Sequence, residues 1–82
     1  MARQSDLIRQ TLQDTNPEFS RLMGEHTRYS EQLGELARKR PRTAADQAEE
    51  TRLKKLKLRA KDRMEELLRQ YRRELAETVE AT

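Results

Sequence analysis

Leu53-Lys54-Lys55-Leu56-Lys57-Leu58-Arg59-Ala60-Lys61-Asp62 threads apolar residues through a dense set of cations. Extending the run outward gives Leu53, Leu56, Ala60, Met64, Leu67, Tyr71 and Leu75, which step by three or four. The mean step of about 3.7 lies near the straight-helix period of 3.6 rather than a strict heptad. The pattern predicts a long bundle helix with one apolar stripe.

The start of that helix is written upstream. Thr43 followed by Asp46 resembles a capping box, with Asp in place of the usual Glu. Pro41 cannot continue a preceding helix without losing a hydrogen bond. The cations of Arg38-Lys39-Arg40 suit a helix C-terminus, which carries the negative end of the helix dipole. The third helix is therefore expected from about residue 44 to 78, after a linker at 40–43.

A second helix is expected over about 17–39. Asn16 is a good N-cap, and Pro17 fits the first helical position. Phe19, Leu22, His26, Tyr29, Leu33 and Leu36 form its seam, which Met23 and Ala37 widen. A short first helix is expected over about 5–15, with Ser5 as N-cap and Leu7, Ile8 and Leu12 on one face.

So short a linker predicts an antiparallel, coiled-coil-like helical hairpin, with residue i opposite about 83 − i. Phe19 then faces Met64, His26 lies near Leu56 and Lys57, and Leu33 lies near Glu50. Leu7, Ile8 and Leu12 would reach Tyr71, Leu75 and Val79. Whether Leu56 or Lys57 lines the seam stays open.

Composition fits an all-α chain of 1–82 forming one domain. Only two Gly and two Pro occur in 82 residues, and 40% of the chain is charged against 33% hydrophobic. Disorder is the competing reading of so charged a chain, and the regular apolar spacing argues against it. With one Phe, no Trp and no Cys, neither a large core nor disulfides are available. Oligomerisation is the remaining support, so two hairpins are expected to pair into a homo-oligomeric bundle. No apolar run approaches the roughly 20 residues of a membrane span, and no signal-peptide core follows Met1. A cytoplasmic location is expected.

Two stretches carry a resemblance. Asn16-Pro17-Glu18-Phe19-Ser20-Arg21-Leu22-Met23-Gly24-Glu25-His26, together with the Leu53–Asp62 run, resembles the YdcH-like family of short bacterial proteins of unknown function. The shared pattern is an Asn-Pro-x-Phe start, a His seven residues after the Phe, and a Leu-Lys-Lys-x-Lys-Leu-x-x-Lys-Asp block. It covers about Ser5 to Tyr71. The resemblance implies a short bacterial, cytosolic helical hairpin and no catalytic activity. Leu56 stands where the family usually has an acidic or polar residue, and Ala60 where it commonly has Leu. The Arg40-Pro41-Arg42 linker and the tail after Tyr71 lie outside the pattern.

Charge is unevenly distributed. Residues 52–73 hold ten basic and three acidic side chains, whereas residues 1–37 carry a net −2 and residues 74–82 a net −3. Lys54, Lys55, Lys57, Arg59, Lys61 and Arg63 are candidate phosphate contacts within that band. The competing reading is a mesh of ion pairs, with Glu25, Glu31 and Glu35 meeting the basic helix across the hairpin and Glu65 meeting Arg69. No zinc finger, aromatic platform or Gly-rich clamp accompanies the band. A basic amphipathic membrane helix is a third reading, but the stripe is needed to close the hairpin.

His26 is the only histidine, and a metal site needs several convergent ligands. It reads as a polar seam residue rather than a metal or haem ligand. No Gly-rich phosphate loop or activated nucleophile is present. The expectation is a non-enzymatic protein without cofactor, binding itself, with a further protein as a second candidate partner. Nucleic-acid binding through residues 52–73 is the alternative.

Overall fold

The computed structural model describes the backbone of residues 4–81 and the side chains of residues 6–78. Three helices account for nearly all of it: α1 (Gln4–Thr15), α2 (Pro17–Arg38) and α3 (Ala44–Ala81). No strand occurs among the described residues.

Local chemistry sets the breaks. Asn16 takes an extended conformation, φ −116° and ψ 106°, and its side chain accepts the Phe19 amide at 3.1 Å. Its own N–H donates to the Leu12 carbonyl at 2.8 Å, so one residue separates α1 from α2. Pro17 occupies the first turn of α2, where a missing N–H costs nothing. At the other break, the Thr43 N–H donates to Asp46 Oδ2 at 3.0 Å and the Asp46 N–H donates to Thr43 Oγ1 at 3.1 Å. This reciprocal pair satisfies two amides that the helix start would leave unbonded. Arg40–Pro41 is a cis peptide.

Ser5, expected as a cap, lies inside α1, which already includes Gln4; its side chain falls outside the described ones. α3 continues to Ala81 rather than stopping near Thr78. No Gly or Pro follows Pro41, and Glu74, Leu75, Ala76 and Glu77 favour helix, so nothing stops it.

α2 and α3 lie side by side. Glu18, in the first turn of α2, bonds Arg63 far along α3, while Lys39, just past α2, bonds Asp46 at the start of α3. The contacts thus run in reverse sequence order, within about a turn of the 83 − i register. At 1.5 Å per residue the 38-residue α3 is about 57 Å long, nearly the whole 61 Å long axis of a molecule only 24 × 18 Å across.

The core gathers where all three helices meet. Ile8 and Leu12 of α1, Phe19 and Leu22 of α2, and Ala60, Leu67 and Leu68 of α3 form one buried cluster. Met23, Met64 and Tyr71 pack against it. Phe19 and Leu53 are the largest fully buried side chains, and Leu53 lies outside that cluster, nearer the linker.

The seam thins away from Phe19. His26, Tyr29, Leu33 and Leu36 are only half-buried. Leu56 and Lys57 are both half-buried as well, so the seam passes between them from Leu53 to Ala60, two turns on the same face.

Leu7 and Leu75, expected to pack together, stay 58% and 41% exposed. α1 rests mainly on α2 and touches α3 only lightly. Its buried stripe, Ile8 and Leu12, is one turn long, and Leu7 lies about 100° around the helix from Ile8. Every described side chain from Arg72 to Thr78 is exposed, and the expected contact of Val79 lies outside the described side chains.

Candidate functional site

A groove of about 640 Å³ runs along one side of the α2–α3 seam. Phe19, Met23, Leu33, Met64 and Leu68 supply its apolar surface, and the exposed Leu58 stands at its edge. Arg9, Lys54, Lys57 and Lys61 supply cations, and His26, Thr27 and Glu65 complete it. Helical spacing explains the grouping. Lys54, Leu58, Lys61, Glu65 and Leu68 follow steps of three and four, and Lys57 lies four before Lys61, which makes them one flank of α3.

The six candidate phosphate-contacting residues do not share this flank. Lys54, Lys57 and Lys61 line the groove. Arg63 is on the other side of the seam, where its guanidinium donates to both Glu18 oxygens at 2.9 and 3.0 Å. Glu66 adds a contact at 3.3 Å. Lys55 and Arg59 are exposed, and neither lines the groove. What reads as one basic band in sequence is wrapped around the helix.

Partners divide the cations further. Arg63 is held by Glu18 and Glu66, Lys54 by Glu50 at 2.9 Å, and Arg52 by Glu49. Lys55, Lys57, Arg59 and Lys61 have no carboxylate within ion-pair distance among the described residues. Among the described residues of one chain, no ion pair joins Glu25, Glu31 or Glu35 to α3. Glu25 pairs with Arg21 on its own helix at 3.6 Å. Its position relative to the seam gives it a neighbour one turn back rather than a cation across the pair. Glu65, expected to meet Arg69, borders the groove instead. Glu18, which the spacing analysis passed over, supplies the cross-helix pair. Reading it requires the register of the two helices, since 45 residues separate Glu18 from Arg63.

Electrostatics follow the contacts. The hydrogen bond from Arg63 holds Glu18 below the usual carboxylate range, and the same bond holds Arg63 protonated. Asp46 is lowered to about 2, first by the Thr43 N–H and then by Lys39 Nζ at 2.9 Å. Burial lowers His26, and the neighbouring Lys57 and Lys61 lower it further. A histidine facing two ammonium groups is a poor proton acceptor. No group of three or more potential ligands that could hold a metal ion occurs among the described residues. No described helix is long and apolar enough to cross a membrane.

The family model "Protein of unknown function (DUF465)" matches residues 19–68, more than half of the chain. The chain belongs to this family. DUF465 includes the YdcH-like small bacterial proteins. No curated protein and no solved structure matches the chain. The DUF465 span opens on Phe19 and closes on Leu68, both buried in the cluster, and so takes in α2, the linker and the groove flank of α3. It leaves out α1 and the bare end of α3.

Proposed function

We propose that this DUF465 protein is a non-enzymatic helical-hairpin module, one domain over residues 1–82, that self-associates in the bacterial cytoplasm and serves as a protein-interaction surface. The observation that carries the reading is the apolar surface left open. Leu7, Leu58 and Leu75 are exposed, and the groove beside Leu58 is largely apolar. A chain this short gains little from its own core, and burying such surface against a second copy supplies the missing stabilisation. At about 25 cal/mol per Å² of apolar surface, modest burial per copy is worth several kcal/mol against a marginal fold. Catalysis is not part of the reading, because burial and the neighbouring Lys57 and Lys61 make the single histidine a poor base.

Size-exclusion chromatography with light scattering tests the self-association. A dimer or larger species at micromolar concentration is expected, with a thermal midpoint that rises with protein concentration. A folded monomer whose midpoint ignores concentration ends the reading.

One observation favours a second reading. Lys55, Lys57, Arg59 and Lys61 carry charge that no carboxylate of the described chain offsets at close range. Phosphates of a nucleic acid would offset it. Anisotropy titrations with duplex and single-stranded probes at low salt decide the matter. Binding that falls steeply as salt rises supports this reading, and absence of binding at low salt removes it.

A further inference from the structure

We infer that self-association, if the reading above holds, runs through α3: two copies pair with their third helices antiparallel, Leu58 of each copy against Leu75 of the other. The inference rests on the self-association reading and adds the surface and its direction.

Among the described residues, Leu58 and Leu75 are the two large apolar side chains that α3 leaves exposed, at 57% and 41%. They are not scattered. Leu58, Lys61, Glu65, Leu68, Arg72 and Leu75 step by three and four throughout, so they form a second stripe on α3. The first stripe, Leu53, Ala60 and Leu67, is spent on α2 and α1. The second borders the groove along Leu58, Lys61 and Glu65, passes Leu68, which is spent on the cluster, and continues over the exposed Arg72 and Leu75. Along that last stretch the described side chains are exposed.

Charge selects the second copy and its direction. Residues 52–61 hold six cations and no acid, while residues 74–78 hold two acids and no base. A parallel pair would set each cationic stretch against its own copy. An antiparallel pair sets it against the acidic end, with positions summing to about 133 along the stripe. That register brings Leu58 to Leu75 at both ends of the pair, while Leu68, buried in the cluster, backs its centre. On the outer edge it brings Asp62 close to Arg69, of opposite sign, and symmetry repeats the pair. Lys61 meets Arg72 on the stripe itself, where long stems can lie over apolar surface with their heads turned to water.

The chain has no cysteine, so single spin labels can be placed freely. Arg52→Cys, Arg59→Cys, Gln70→Cys and Glu77→Cys lie away from the proposed stripe and are exposed. Distances between the two labels of a pair are expected in the order 70, 59, 77, 52. The axial components would be about 10, 22, 32 and 44 Å at 1.5 Å per residue. A charge exchange gives a second readout. Arg69→Glu, facing Asp62, should weaken the pair about tenfold, and adding Asp62→Arg should restore it. Near-equal distances at all four sites mean a parallel pair and overturn the inference. So does any other order, or a charge exchange without rescue, while a dimer in these cases leaves the self-association reading standing. A folded monomer by light scattering sinks the reading itself.

Discussion

The two ends of the α2–α3 pair are closed by different chemistry. At one end Phe19, Leu22, Ala60, Leu67 and Leu68, joined by Ile8 and Leu12 of α1, exclude water from a common cluster. At the other end, Lys39, Thr43 and Asp46 hold the helices through hydrogen bonds, and Arg42 reaches Glu50 nearby. Leu53 is the one large buried apolar side chain close to that end. The difference follows from the chain path. The linker forces the helices together within a few residues, so geometry already supplies proximity and polar groups need only be satisfied. The far end has no covalent closure, and only apolar burial, with α1 folded over it, keeps the helices together.

The comparison is broken most directly at Phe19. Phe19→Ala empties the centre of the cluster and should cost about 3–5 kcal/mol. Set against a total of roughly 5–15 kcal/mol for a folded domain, that is enough to melt the open end. Circular dichroism during urea unfolding should show the loss as a lower midpoint. Loss of less than about 1 kcal/mol would mean that the open end is not held by the cluster.

Effects at the linker end should be smaller and dependent on pH. Thr43→Ala removes the acceptor for the Asp46 amide and should cost about 1 kcal/mol, as lost caps do. The other half of the box titrates. Asp46 has its carboxyl lowered from 3.8 to about 2, so the folded state favours the ionised form. Its contribution is fully present above about pH 4 and disappears as pH falls toward 2. Asp46→Asn should therefore narrow its deficit against the unaltered chain across that window. A deficit unchanged from pH 5 to 2 would show that the Asp46 charge is not what holds the linker end. His26 has the same sign near neutrality. Its pKa lies below 6.5 in the fold, so protonation below that pH works against folding, and His26→Ala should remove that slope.

These two ends also differ in how much could be read without coordinates. The polar closures are local: Asn16-Pro17 and the Thr43 to Asp46 box are fixed by residues within three positions of each other. The apolar end needs relative placement of three helices. Leu68 falls off the main stripe of α3, and its burial depends on the cluster that α1 widens. Leu7 and Leu75 have the right residue type and lose their expected contact because α1 follows α2 rather than the tail of α3. The Glu18–Arg63 bond, likewise, is set by register and hidden from any local motif. The candidate site shows the same division. Cation density is visible in sequence, but its spread around α3 becomes visible only once the seam fixes which flank faces the groove.

A gain of stability probes the stretch between the ends. Gly24 and Gly34 lie inside α2, and an added Cβ at either meets nothing within 4 Å. Gly24→Ala and Gly34→Ala should each stabilise by about 0.5–1 kcal/mol through helix propensity. Thermal melts at low concentration measure this for the single chain. A loss at high concentration only would place a second copy against that part of α2, away from the α3 stripe.

The smallest effect separates the linker end from its surroundings. Glu49 and Arg52 form an ion pair three residues apart, with the Arg52 side chain 60% exposed and that of Glu49 41% exposed. Such a pair holds two long side chains in one geometry against water and salt, and typical values are about 0.3–0.5 kcal/mol. Arg52→Ala should therefore cost no more than that, and the cost should vanish in 1 M salt, where screening acts within roughly 3 Å. Thr43→Ala should keep its deficit in the same salt, because its bonds are short, local and partly buried. Equal salt sensitivity for the two variants would mean that the linker end is held by surface charge as a whole. Unequal sensitivity assigns the closure to the capping box, with the surrounding ion pairs as solvated neighbours.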